Sequence, residues 1–334
     1  MKLIRMLVLA LLTLACGSAF AQAIKLKFAI FTPDKEQTFI TVFKPFADAV
    51  NKEGKGLVEI ELYPNGALGR IPPQQAQMIL DGVSDIGWVV ASYTPGRFQD
   101  NEVLELPGMF RDLKEATTVF TRLVNSGQIK GFEDYVPLGT FGAGPYSFHA
   151  RFPINTIADL KGKKMRASGA VETATVRALG GVPIGMPITE VAEAISRGTV
   201  DRSSAHPSVL FDFGIARVTT SHYFTTLGYV PVAILMNRKK FESLPKAAQD
   251  VIRKHGSEWN AANWNAGISA YNATLVKQLQ EDPKRKVVFP AQSDAEAAQQ
   301  VYKAVINEWT AKSARNMELY KIVEAEVAKV RAGR

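Results

Sequence analysis

Residues 24–66 read IKLKFAIFTPDKEQTFITVFKPFADAVNKEGKGLVEIELYPNG. Ile24, Leu26, Phe28 and Ile30 alternate with other residues, the period of a strand. Phe39, Val42, Phe43, Phe46 and Val50 then recur at helical spacing, and Gly54 and Gly56 end the run. Pro45 inside that pattern predicts a kink or the true start of the helix, because proline has no amide to donate. Val58, Ile60 and Leu62 alternate again, and Pro64-Asn65-Gly66 closes the strand with a turn. Strand, helix and strand in this order form the unit of an α/β protein with largely parallel sheets.

The alternation continues along the chain. Gln74 to Leu80 reads as a short helix and Ile86 to Ala91 as a buried strand. Asp112 with Glu115 makes a capping box before a helix that Gly127 stops, and Ser293 with Glu296 makes another. From Pro245 to about Gln280 the pattern predicts a long helix or a helix pair; Gly256 weakens its middle and Asp282-Pro283 breaks it. Val287 to Phe289 reads as a late strand. No flexible linker appears, so two domains would have to be joined by more than one crossing of the chain.

The N-terminus bears on compartment. Lys2 and Arg5, the apolar run Met6 to Ala15, and Ala19-Phe20-Ala21 follow the order of a secretory signal peptide, with a mature start at Gln22. The rival reading is a lipid anchor on Cys16, but Thr13 and Leu14 before Ala15-Cys16 make a poor lipidation site. Cleavage removes the only cysteine, so the mature chain has to be held by apolar cores. About 310 residues suggest about two domains. The formal charge of +8 falls to about +6 without Lys2 and Arg5, which favours anionic ligands. It is spread along the chain, with no basic block interleaved with aromatics, so nucleic acid is not an expected partner.

The signatures of an enzyme are missing. His149, His206, His222 and His255 include no pair at metal-ligand spacing on a helix. Gly139, Gly142 and Gly144 do not fit a dinucleotide fingerprint, and there is neither a phosphate loop nor a nucleophile elbow. No catalytic residue, metal or cofactor is expected; a site of dispersed acids is the form in which an enzyme stays open.

Six segments occur in order: Val58–Gly69 (VEIELYPNGALG), Gly82–Asp85 (GVSD), Leu106-Pro107, Asp159–Arg166 (DLKGKKMR), Leu179–Glu190 (LGGVPIGMPITE) and Gly198–Asp201 (GTVD). Together they resemble the solute-binding proteins of TRAP transporters, the tripartite ATP-independent periplasmic family, from about Ile24 to past Pro245. The resemblance implies a type II periplasmic binding protein fold, with two α/β lobes, a central ligand cleft and a long interlobe helix. After the signal peptide at 1–21, lobe I is then expected over 22–143 plus about 232–272, and lobe II over 144–231 plus about 273–334. The implied function is a periplasmic receptor that binds a small organic acid, a monocarboxylate such as an aromatic or 2-oxo acid. It would deliver this ligand to small and large integral membrane subunits. A receptor for an ATP-driven importer or a sensor kinase could share the fold, and a periplasmic enzyme is the reading from another class.

By the same resemblance Arg166, ending the DLKGKKMR segment, pairs with the ligand carboxylate; read alone, it ends a solvated basic run with Lys161, Lys163 and Lys164. Sialic-acid-binding members carry a second arginine where this chain has Tyr146, which implies a smaller or more apolar ligand. Where many members have an asparagine before a proline, the chain reads His206-Pro207, and an imidazole nitrogen can donate like an amide. Further expected ligand contacts are Phe31, Trp88, Tyr93 and Ile188, with Ser168 offering a hydroxyl, although each could equally pack in the core.

The secreted protein should therefore begin near Gln22 and carry no lipid. Intact-mass measurement of the exported protein checks this, and an acylated Cys16 retained in membranes would contradict it.

Overall fold

The computed structural model describes residues 22–334, so the signal segment 1–21 and Cys16 lie outside the described residues. The first sheet takes β1 (Ile24–Ala29), β2 (Val58–Tyr63), β3 (Ile86–Val90) and β4 (Tyr135–Ala143). The chain then crosses to a second sheet for β5 (Ser147–Ala150), β6 (Lys164–Ala167), β7 (Val182–Gly185), β8 (Arg202–Ala205) and β9 (Ser221–Tyr223). It returns to the first as β10 (Val230–Asn237) and to the second as β11 (Lys286–Val288). The orders are β2-β1-β3-β10-β4 and β11-β9-β5-β8-β6-β7. In each sheet one strand runs antiparallel to both neighbours, β10 in the first and β5 in the second. Both follow directly on a crossing between sheets. The remaining pairs are parallel, so the largely parallel expectation holds.

Helices cover both lobes. The first carries α1 (Lys44–Glu53), α2 (Gln75–Leu80) and α3 (Leu113–Asn125); the second carries α4 (Ala170–Ala178), α5 (Val191–Ser196) and α6 (Pro207–Asp212). After β10, α7 (Arg238–Glu242) and α8 (Lys246–Lys254) pack again on the first lobe. The long helix α9 (Glu258–Glu281) touches α3 and β4 on one lobe and α6 and β11 on the other. α10 (Gln292–Ala311) lies against α4, and α11 (Ala314–Arg331) against α3.

That last contact differs from the expected division, which put all of 273–334 with lobe II. Leu319, Val323 and Val327 form one buried helical face on α11. Arg331 reaches Glu115 of α3 at 2.7 Å, and Arg122 of α3 reaches Glu326 at 3.1 Å. An apolar stripe with matched charges on its flanks decides which lobe the last helix joins.

Local readings hold with two amendments. Pro45 neither breaks nor starts the helix alone: a π-helical turn over Phe39–Phe43 runs into α1, where proline sits in the first turn and needs no amide. Asp112 caps α3 through the Glu115 amide at 2.8 Å, while the Glu115 carboxylate accepts from the Arg111 amide at 2.7 Å. Ser293 is not a cap. Helix α10 already begins at Gln292, and Asp294 instead accepts from the Ile157 amide at 3.0 Å and from the Tyr223 hydroxyl, tying the helix to the second lobe. The predicted weakness near Gly256 is a real break between α8 and α9, with Ser257 at φ +47°.

A ladder of rings holds the first lobe against α9. Phe28 meets Phe43 at 5.3 Å between centroids, Phe43 meets Trp88 at 4.9 Å, and Phe141 stacks on Trp264 of α9 at 4.9 Å. Gly267 permits the approach of α9 to the π-helical turn, because a Cβ there would lie 2.7 Å from Thr41.

The second lobe buries a polar chain. Arg285 Nη1 donates to His222 Nε2 at 3.2 Å, since arginine only donates. His222 must then carry its proton on Nδ1 and donate to His149 Nδ1 at 2.9 Å, which leaves His149 Nε2–H for the Ala205 carbonyl at 3.1 Å. Burial holds both imidazoles neutral, His149 at about 4 and His222 lower still. Their folded values lie below the ordinary 6.5, so their contribution is full above that pH and fades as pH falls toward 4. His149→Gln should be destabilised at pH 7, with a deficit that shrinks toward pH 4.5 by about one proton's worth of pH slope. Chemical denaturation of both proteins across that range measures it, and a deficit independent of pH would contradict it.

Candidate functional site

Between the sheets lies a narrow cavity of about 40 Å³. Phe31, Trp88, Tyr93 and Trp264 line it from the first lobe, and Tyr146, Ile188, His206 and Phe213 from the second. Six of the residues expected from the sequence thus meet in one place: Phe31, Trp88, Tyr93, Tyr146, Ile188 and His206. The strand ends explain this. β1 ends just before Phe31, β3 just before the turn carrying Tyr93, and β8 at Ala205, next to His206.

Arg166, on β6, is 1% exposed and is not itself among the residues lining this cavity; it sits behind Tyr93, which is. Its Nε donates to the Met186 carbonyl at 3.1 Å and its Nη2 to the Tyr93 hydroxyl at 3.0 Å. The Ile188 amide donates to the same hydroxyl at 2.9 Å. A phenol oxygen has room for two such bonds, so the Tyr93 proton is left to donate to a further acceptor. Arg166 Nη1 has no partner. Glu172 supports the guanidinium against burial, and a guanidinium keeps its proton, so Arg166 stays a cation. Burial pushes the Tyr146 hydroxyl well above its usual range, and it stays neutral.

His206 adds a donor in the tautomer in which the Ser208 hydroxyl donates to Nδ1. Its Nδ1 faces the Ser208 hydroxyl at 2.9 Å, and its Nε2 is buried without a partner. Burial lowers it to about 4, so the ring is uncharged at neutral pH. With Ser208 donating to Nδ1, Nε2 carries the hydrogen. The arrangement is a set of converging donors around one cation, and it can hold a carboxylate.

Ser168 is placed differently from the expectation. Its hydroxyl and amide both serve Glu172, the amide at 2.6 Å, and Ser204 donates to the other oxygen of that carboxylate. Ser168 therefore lines a smaller neighbouring cavity with Glu105, Glu172 and Tyr146, where its hydroxyl is already committed. Glu105 comes from the first lobe, bonds Ser92 at 2.5 Å, and leaves Oε2 without a partner. Gly169 of the second lobe lies so close that a Cβ would meet that oxygen at 2.7 Å.

Sequence reading missed Glu36 and Trp264 in the main cavity and Glu105 and Glu172 behind it. An acid between threonines just past the end of β1 was a usable signal for Glu36. Trp264 gave none, because helical spacing alone does not say which neighbour a face meets.

Comparison with known proteins agrees with this geometry. Residues 28–313 match the family described as bacterial extracellular solute-binding protein, family 7. The chain is 28% identical over 272 residues to the C4-dicarboxylate-binding periplasmic protein DctP of Rhodobacter capsulatus, covering 79% of each. A marine metagenome TRAP solute-binding protein from an unidentified microbe, specific for aromatic acid ligands and solved with 3-hydroxybenzoate, superposes with a TM-score of 0.85. It is 28% identical, with 92% of this chain and 99% of that one covered. A TRAP solute-binding protein from Rhodoferax ferrireducens, solved with copurified benzoate, also gives 0.85 at 26% identity, covering 93% and 100%. The two sheets are thus the two lobes of the periplasmic binding fold that the sequence motifs implied.

The neighbouring cavity has a measurable signature. Burial, with the charges of Glu172 and Glu102, raises Glu105 to about 8. A raised folded value means that its contribution is full below the usual carboxylate range and is lost as pH rises through 8. Glu105→Gln should therefore gain stability relative to wild type between pH 6 and pH 9. Parallel thermal melts across that range check it, and curves that keep a constant separation would contradict it.

Proposed function

Since the chain belongs to the bacterial extracellular solute-binding protein family 7, we propose that it is a TRAP receptor whose ligand is an aromatic monocarboxylate, held by Arg166. It works in the periplasm and hands its ligand to the small and large membrane subunits of the transporter. Among the described residues no helix is long and apolar enough to cross a membrane, in keeping with delivery to a separate permease.

The observation that carries this reading is the unpartnered Arg166 Nη1, buried beside a Tyr93 hydroxyl that has its proton to give. Leaving a buried guanidinium hydrogen unmatched costs free energy, which an arriving carboxylate recovers. Arg166 Nη1 and Tyr93 then grip one carboxylate, with His206 Nε2 as the third donor. The rings of Phe31, Trp88, Trp264 and Phe213 suit a flat apolar body better than an aliphatic chain.

One relative is named for C4-dicarboxylates, but a second carboxylate would need a second cation. The residues lining this cavity include no lysine or arginine, and Arg166 stands behind Tyr93 as the one cation tied to it by a hydrogen bond. The structures solved with benzoate and 3-hydroxybenzoate support the monocarboxylate instead.

Closure completes the site. Tyr93 comes from the first lobe, while Arg166 and Ile188 come from the second, so their hydrogen bonds form only when the lobes meet. The Gln37 amide likewise reaches Asp212 across the cleft at 3.4 Å. A carboxylate arriving at Arg166 adds to the same seam, and the shut surface is what a permease can recognise.

Titration calorimetry with benzoate tests the anchor. Arg166→Ala should lose about 2–5 kcal/mol of affinity, and Arg166→Lys should recover only part, because an ammonium lacks the planar fork. Circular dichroism controls for folding. A folded Arg166→Ala protein that binds benzoate like wild type would overturn the assignment.

A further inference from the structure

Glu36 is a buried carboxyl in the wall of the ligand cavity, and the carboxylate grip described above does not use it. It lies past the end of β1 and is 7% exposed. Its protein donors are the Thr32 hydroxyl at 3.1 Å and the Thr38 hydroxyl at 2.5 Å, with support from the Thr38 amide. Two carboxylate oxygens can accept about four hydrogen bonds, so acceptor capacity remains. No salt bridge reaches Glu36; the nearest charge acting on it is another acid, Asp212, which is itself held by the Gln37 amide and the Tyr271 hydroxyl. Trp264, in the same wall, keeps its indole Nε1–H buried and without a partner.

The cavity therefore has two unlike poles. Around Arg166 the free groups are donors and the charge is positive. Around Glu36 and Asp212 the groups are acids, with both carboxyls ionised by pH 8. The hydrogen-bond partners of Arg166 are Met186 and Tyr93, those of Glu36 are Thr32 and Thr38, and the two sets share no member.

We propose that Glu36 is a specificity-determining residue that accepts a hydrogen bond from a hydroxyl on the ligand ring, remote from the carboxylate. The cognate ligand class is then a hydroxylated aromatic monocarboxylate. A hydroxyl donates to Glu36 and accepts from Trp264 Nε1–H, satisfying both groups with one atom. An unsubstituted ring leaves the Trp264 indole unmatched and Glu36 with its threonine donors alone. A second carboxylate in that position meets two acids and is rejected. Burial, which raises Glu36 to about 7, agrees with a carboxyl held by hydroxyl donors and not by a cation.

The inference rests on the carboxylate reading above, and the test separates the two. Calorimetry at pH 8 on the mature protein compares benzoate, 3-hydroxybenzoate, 4-hydroxybenzoate, isophthalate and terephthalate. At least one hydroxybenzoate should bind about tenfold or more tighter than benzoate, and both dicarboxylates about tenfold or more weaker. Glu36→Leu should erase the preference for the hydroxyl, and Glu36→Gln, whose amide can donate, should narrow the rejection of dicarboxylates. If benzoate and both hydroxybenzoates bind wild type within about threefold of one another, Glu36 does not select, although the carboxylate reading survives. Retention of the hydroxyl preference by folded Glu36→Leu overturns the proposal as well. If none of the five binds, the aromatic-acid reading itself fails and takes the proposal with it. Should the variants not fold, the wild-type series decides alone.

Discussion

Burying a guanidinium is expensive, and much of the interlobe region is arranged around doing so for Arg166. The cation is 1% exposed, and no protein carboxylate of the described residues bonds it directly. It is held by one carbonyl, one phenol and the nearby charge of Glu172. Supporting a positive charge from a carboxylate that does not touch it keeps one edge of the fork free. Glu172 can do this because Ser168 and Ser204 occupy its oxygens and hold it in place. The second cavity is thus the electrostatic backing of the first.

The two lobes meet along seams of different chemistry. Around Tyr93 the seam is made of directed hydrogen bonds, which form or fail within a few tenths of an ångström. Around Glu105 and Gly169 it is a close approach of a carboxyl to backbone, tolerable because the glycine has no side chain. Around Gln37 and Asp212 it is a single long bond to an acid. Dispersion and ring packing hold each lobe together, and at the seam directed polar contacts of modest individual strength join the apolar ones. That division suits a molecule whose lobes have to separate without unfolding.

Most of the architecture was legible from periodicity. β1, β2, α1, the end of α3 and the break after α8 follow from alternation, helical spacing and glycine or proline punctuation. Strand ends made Phe31 and Tyr93 legible, whereas Tyr146 and His206 could be named only through the family resemblance. What was hidden depends on partners that only the folded chain reveals. Ser168 looks free until Glu172 is seen one helical turn away and bonded to it. Ser293 looks like a cap until Asp294 is seen tied to Tyr223 and Ile157. The lobe joined by α11 depended on Glu115, some two hundred residues earlier, which nothing local in the sequence of that helix discloses.

Helix α9 runs through 24 residues without a break and would be about 36 Å long if straight. One end is fastened to the first lobe by Trp264 in the ring stack, and the far part touches α6 and β11 of the second. Such a rod behaves as a leaf spring clamped at both ends. Any gape between the lobes has to appear as curvature in it or as slip at one clamp, and curvature stores elastic energy that returns the lobes toward one rest angle. The restoring force would then reside in an element that never touches the ligand, so mechanical stiffness and chemical selectivity could be tuned independently.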